Sequence, residues 1–131
     1  MSAVPVEFVG LGASPGVVEG VLALCTDDAR AWAARGQRVV LALRDVDAED
    51  TPAVRVCAAL VTTAGGLTSD AAIVARALGI PCVTGCTTVT VSGSALRVAD
   101  GSGAVRAVPS GARVWVDGRA GRVRWAGAVD Q

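Results

Sequence analysis

The chain has 131 residues, 52% of them hydrophobic but only 3% aromatic, and its 12 basic and 12 acidic side chains cancel. That length fits one domain with a core built chiefly from Ala and Val, and the charge balance argues against a highly charged nucleic-acid binder or disordered tail. All 12 bases are Arg, and the chain has no His, Lys or Tyr. On its own residues it therefore has no histidine acid–base catalysis, phosphohistidine, His metal ligation or Lys Schiff base.

Residues 4–11 and 17–24 read as strands, separated by a turn at Ala13-Ser14-Pro15-Gly16. Thr26-Asp27-Asp28 offers a helix cap with acids in the first turn, followed by helix formers from Ala29 to Arg35 and a stop at Gly36. Gln37 to Leu43 is a β-branched apolar run, the pattern of a strand buried on both faces. An acidic loop, Arg44 to Asp50, precedes Thr51-Pro52, which caps a helix running to about Ala59. Leu60 to Thr63 is a short strand ending in Ala64-Gly65-Gly66. Thr68 or Ser69 then caps a helix from Asp70 to Leu78, closed by Gly79, and Cys82 to Thr84 is another strand. Residues 89–125 alternate as β-structure, with Asp117 to Gly121 as a hairpin loop between the last two strands. No repeat or second domain is visible, so residues 1–131 read as one mixed α/β domain.

No basic start, apolar stretch and cleavage site stand in sequence, and no apolar run approaches the roughly 20 residues of a membrane span. A cytoplasmic protein with no membrane partner is expected. Cys25, Cys57, Cys82 and Cys86 include only one close pair, so buried thiols in a reducing compartment are expected rather than a metal site. No cofactor is implied.

The stretch with most chemical content is Leu60-Val-Thr-Thr-Ala-Gly-Gly-Leu-Thr-Ser-Asp70-Ala-Ala-Ile-Val-Ala-Arg76. It is a strand, a glycine loop and a helix start, where free backbone N–H groups and the positive end of the helix dipole converge to cradle an anion. Gly65 and Gly66 allow close approach of a ligand, and Arg76, two turns along, either faces that anion or pairs with an acid.

The same stretch resembles the mobile, phosphohistidine-bearing swivelling domain of phosphoenolpyruvate-utilising enzymes, and within that group pyruvate phosphate dikinase. Gly12-Ala-Ser-Pro-Gly16, Thr26 to Trp32, Thr63 to Arg76, Gly79-Ile-Pro-Cys-Val-Thr-Gly-Cys86 and Val116 to Val123 carry the resemblance, in the family's order, over about residues 10–125. It implies a β/β/α sandwich whose helix start carries Thr-Ser-His. There the histidine takes a phosphoryl group at a nucleotide-binding domain and delivers it to a phosphoenolpyruvate/pyruvate domain. Here Asp70 stands in the histidine's place, and the Arg44 to Asp50 loop lacks a proline common in relatives.

Three readings of Asp70 follow. As a first-turn acid it gains about 0.3–1 kcal/mol from the helix dipole. As a fixed negative charge it imitates the phosphorylated histidine, though a phosphate carries about −1.5 to −2. As a nucleophile or general acid–base it forms an aspartyl phosphate or serves new chemistry, with Thr68 or Ser69 orienting the substrate. Thr68 matches a threonine that is a regulatory phosphorylation site in some dikinases, or is an ordinary cap.

The leading expectation is a stand-alone relative of the carrier domain that takes no phosphoryl group and acts by binding a partner. That partner would be a separate nucleotide-binding or phosphoenolpyruvate-binding protein, or a pathway enzyme. The alternative is a small enzyme, or an aspartyl-phosphate carrier, built on Asp70 beside Gly65-Gly66. Arg122 and Arg124 fall on one strand face as a solvated surface or a dock for an acidic partner; lacking stacking aromatics, that face does not suit nucleic acid.

Overall fold

The structure, a computed structural model, describes residues 4–127. Eleven strands and three α-helices follow one another as β1 (Val6–Val9), β2 (Leu11–Ser14), β3 (Val17–Ala23), α1 (Thr26–Ala34), β4 (Val39–Leu43), α2 (Thr51–Arg55), β5 (Ala59–Thr62), α3 (Asp70–Leu78), β6 (Cys82–Thr84), β7 (Val89–Val91), β8 (Ala95–Ala99), β9 (Val105–Pro109), β10 (Arg113–Asp117) and β11 (Arg122–Trp125). An eight-stranded sheet runs β1-β11-β10-β3-β4-β5-β6-β2, and β7-β8-β9 form a second, three-stranded sheet. Strands β3 to β6 are parallel neighbours, and each crossover is a helix, as parallel pairing demands.

Alternation along the central strands builds two cores. Val39 and Leu41 of β4, Leu60 of β5 and Cys82 of β6 pack towards the helices, against Ala29, Ala53, Val54, Ala71, Ala72 and Ala75. Their neighbours Val40, Ala42, Ala59, Val61 and Val83 face the other way, with Leu96, Val98 and Val108 of the small sheet. The result is a three-layer β/β/α sandwich. Small residues on α1 to α3 suit it, because Ala lets a helix backbone lie close to the sheet.

Five boundaries differ from the sequence expectation. The run 4–11 is two strands, not one: β1 pairs with β11, whereas β2 pairs with β6 at the far end of the sheet. Gly10 alone joins them and donates its N–H to the Gly121 carbonyl at 2.9 Å, so the sheet curls until its two edges meet. Ala13 and Ser14 thus belong to β2 rather than to a turn. Cys25, not Thr26, caps α1, its Sγ accepting from the Asp28 N–H at 3.4 Å. Asp50 rather than Thr51 precedes α2, after a short 3-10 turn at Ala48–Asp50. That helix also stops at Arg55, well before Ala59, because the Ala58 N–H is taken by the Val39 carbonyl at 2.8 Å and the chain is drawn into β5.

The side-chain hydroxyl of Thr84, fully buried on β6, has no hydrogen-bond partner among the described residues. Burying a hydroxyl without a partner costs about 1–3 kcal/mol. Thr84→Val is therefore expected to raise the melting temperature by about 2–8 °C. Calorimetry of the two proteins checks this, and a fall would show that the hydroxyl is held by a group inside the fold.

Candidate functional site

The site is assembled where β4 and β5 end and α3 begins. Thr62, the last residue of β5, donates its hydroxyl to the Ala64 carbonyl at 2.8 Å, and the Ala64 N–H donates to the Arg44 carbonyl at 2.9 Å. The Gly85 N–H reaches the Ala64 carbonyl at 3.3 Å from the opposite side. These bonds anchor the start of the glycine loop. Gly65 follows at φ +86°, and a Cβ there would lie 2.9 Å from the Ser69 side chain, so only glycine fits the bend.

Ser69 caps α3. Its hydroxyl donates to the Gly66 carbonyl at 2.7 Å and accepts from the Ala72 N–H at 3.4 Å. The hydroxyl is thereby committed to the loop. Thr68, the other capping option read from the sequence, is exposed and makes no cap bond. No protein acceptor is found among the described residues for the N–H groups of Gly65, Gly66, Leu67 and Thr68.

Asp70 is the first residue of α3 and is exposed. It opens into a cleft of about 240 Å³ that it shares with Asp45, Asp47, Thr62, Gly65 and Ser69. The acidic loop after β4 thus comes to Asp70 in space, although 23 positions separate Asp47 from it in sequence. Val46 is buried between Asp45 and Asp47, which turns both carboxylates outward. Sequence reasoning noticed the acids but had no means of placing them; the acid–apolar–acid alternation was the available signal. Among the described residues, no group of three or more His, Cys, Asp or Glu side chains is arranged to hold a metal ion.

Arg76 does not join this cleft. Its Nε donates to the Ala13 carbonyl at 2.7 Å, fastening α3 to β2. Of the two readings left open by the sequence, an anion contact or an acid pair, the structure places neither; the partner is a backbone oxygen. Every ionisable side chain lining the cleft is a carboxylate. Three carboxylates, Asp45, Asp47 and Asp70, thus line the cleft at the start of α3.

The remaining sequence candidates lie away from this cleft. Cys57, Cys82 and Cys86 are buried, and burial pushes each thiol up to about 12, so none is a ready nucleophile. Cys25 is exposed, and all four are unbridged. Arg122 and Arg124 lie on one face of β11 as expected, opposite Asp117 of β10 and Glu7 of β1 respectively. No helix among the described residues is long and apolar enough to cross a membrane.

Comparison with known proteins agrees with the architecture. Residues 36–121 match the family model described as PEP-utilising enzyme, mobile domain. Pyruvate, phosphate dikinase 2 of Oryza sativa subsp. japonica is 42% identical over 83 residues, 63% of this chain and 9% of that protein. Pyruvate, phosphate dikinase 2 of Zea mays is 36% identical over 97 residues, 74% of this chain and 11% of that protein. The chain thus spans about a tenth of the length of these relatives. An NMR solution structure of Enzyme I aligns at 33% identity and a TM-score of 0.46, over 66% of this chain and 29% of that one. With its β/β/α layers, its glycine loop feeding α3 and a family match over most of its length, the chain belongs to the mobile-domain family of phosphoenolpyruvate-utilising enzymes.

Proposed function

We propose that this chain is a mobile domain that takes no phosphoryl group on a histidine and works by docking, through the Asp70 corner, to a partner protein. One observation carries the reading: the chain contains no His, and the residue heading α3 is an exposed aspartate in a cleft whose other charges are also negative. An incoming phosphate meets three carboxylates there, so the corner repels the group that the family carries. A nucleotide-binding or phosphoenolpyruvate-binding protein, or another enzyme, would be the partner. Four unbridged thiols support a reducing, cytoplasmic setting.

The test uses a pyruvate phosphate dikinase deprived of its own mobile domain, with radiolabelled phosphoenolpyruvate and Mg²⁺. The protein is expected to remain unlabelled, whereas Asp70→His is expected to take up acid-labile label. The substitution is tolerable, since Asp70 is exposed and its favourable dipole interaction is only about 0.3–1 kcal/mol. Hydroxylamine-sensitive label on the unsubstituted chain would overturn the reading in favour of an aspartyl-phosphate carrier.

A further inference from the structure

A second cleft, of about 270 Å³, continues from Asp70 between the first two turns of α3 and the segment 46–51. Val46, Ala48, Ile73 and Val74 supply its apolar lining, and Asp47 and Asp70 supply its charge. Ile73 is 54% exposed on a helix whose other face is fully packed, and Leu67 in the preceding loop is 46% exposed. No Arg lines either cleft. The ion pair found among the described residues, Arg113–Glu19, lies elsewhere, on β10 and β3.

We propose that this groove receives a segment of a partner protein that presents an arginine or lysine next to an aliphatic side chain. The cation sits by Asp47 and Asp70, and the aliphatic group covers Ile73 and Val74. The inference rests on the docking reading above and supplies the chemistry of its partner. Covering the exposed aliphatic side chains is favourable at about 25 cal/mol per Å² of buried apolar surface. A purely apolar partner would strip water from Asp47 and Asp70 without compensation, and an acidic one would add repulsion. A guanidinium or ammonium beside an aliphatic residue is the chemistry that satisfies both parts of the groove.

Two synthetic peptides test this on the whole chain, one alternating leucine with arginine and the other leucine with glutamate, followed by backbone-amide NMR shifts. The arginine peptide is expected to shift the amides of residues 46–48 and 70–74, and the glutamate peptide to leave them unmoved. Asp47→Asn and Asp70→Asn should each weaken the arginine peptide about two- to fivefold. Ile73→Ser should weaken it as well, which a purely electrostatic attraction would not show. No binding by the arginine peptide, equal shifts with both peptides, or shifts confined to another surface would overturn the assignment. Those outcomes leave the phosphoryl-labelling result untouched, so loss of this inference and loss of the docking reading are told apart by separate measurements.

Discussion

Above about pH 9 the domain is expected to lose stability steeply, because three buried thiols resist ionisation. Burial pushes Cys57, Cys82 and Cys86 from an ordinary 9.0 up to about 12. The Arg76 guanidinium lessens the rise at Cys82, and the neighbouring Cys82 adds to it at Cys86. The sign follows from proton counts. Between about pH 9 and 12 the unfolded chain releases these protons and the folded chain keeps them, so rising pH favours unfolding. Below about 9 the thiols are protonated in both states and contribute no pH dependence.

Other proteins hide this effect under Lys and Tyr titrations, but this chain has neither. Each thiol contributes at most about 1.4 kcal/mol per pH unit. Three together are enough to exhaust much of a typical 5–15 kcal/mol of domain stability within about three pH units. Urea unfolding measured across this range checks it, with Cys57→Ala, Cys82→Ala and Cys86→Ala each expected to flatten the slope. A flat profile to about pH 11 would refute the account. In the native state a thiol reagent should modify Cys25, the exposed one, and reach the other three only on unfolding.

Gly118→Ala is expected to cost at least about 3 kcal/mol and lower the melting temperature by about 10 °C or more. Gly118 lies in the loop between β10 and β11, and its N–H donates to the Gly16 carbonyl at 2.8 Å. A Cβ there would collide with the Ser14 carbonyl oxygen and lie 2.9 Å from the Cys82 nitrogen and 3.1 Å from the Pro81 Cα. All three are backbone atoms, so no rotamer change relieves the clash. The loop is what fills the gap where β2 and β6 come round to the β10–β11 hairpin, and prying it out would open that closure. Gly93→Ala is the control, because a Cβ at Gly93 meets nothing within 4 Å. It should stay within about 0.5 kcal/mol of the parent protein, and a loss as large as that at Gly118 would show that the contact is not the cause. Thermal or urea unfolding of the two variants provides the comparison.

The middle of the chain was the most legible. Between β3 and β6 each strand is joined to the next through its own helix, and the signals are local: the apolar run of Val39 to Leu43, Ser69 ahead of α3, and Gly79 behind it. Boundaries went astray where a distant partner intervened, as when the Val39 carbonyl claimed Ala58 and shortened α2. The split of residues 4–11 was illegible for the same reason. Both halves are equally extended, but one answers to residues 122–125 and the other to residues 82–84.

The absence of histidine is a matter of covalent inventory, and reading the residues was enough to exclude a phosphohistidine on this chain. So too was the strand–glycine–helix order that sets Asp70 at the head of α3, since propensity and capping act within a few residues. Only the tertiary structure decided that Asp45 and Asp47 stand beside Asp70, that Arg76 spends its Nε on the Ala13 carbonyl, and that β1 and β2 meet around a curled sheet. Those relations depend on which remote groups pair and pack, and periodicity along the chain carries no information about distances across it.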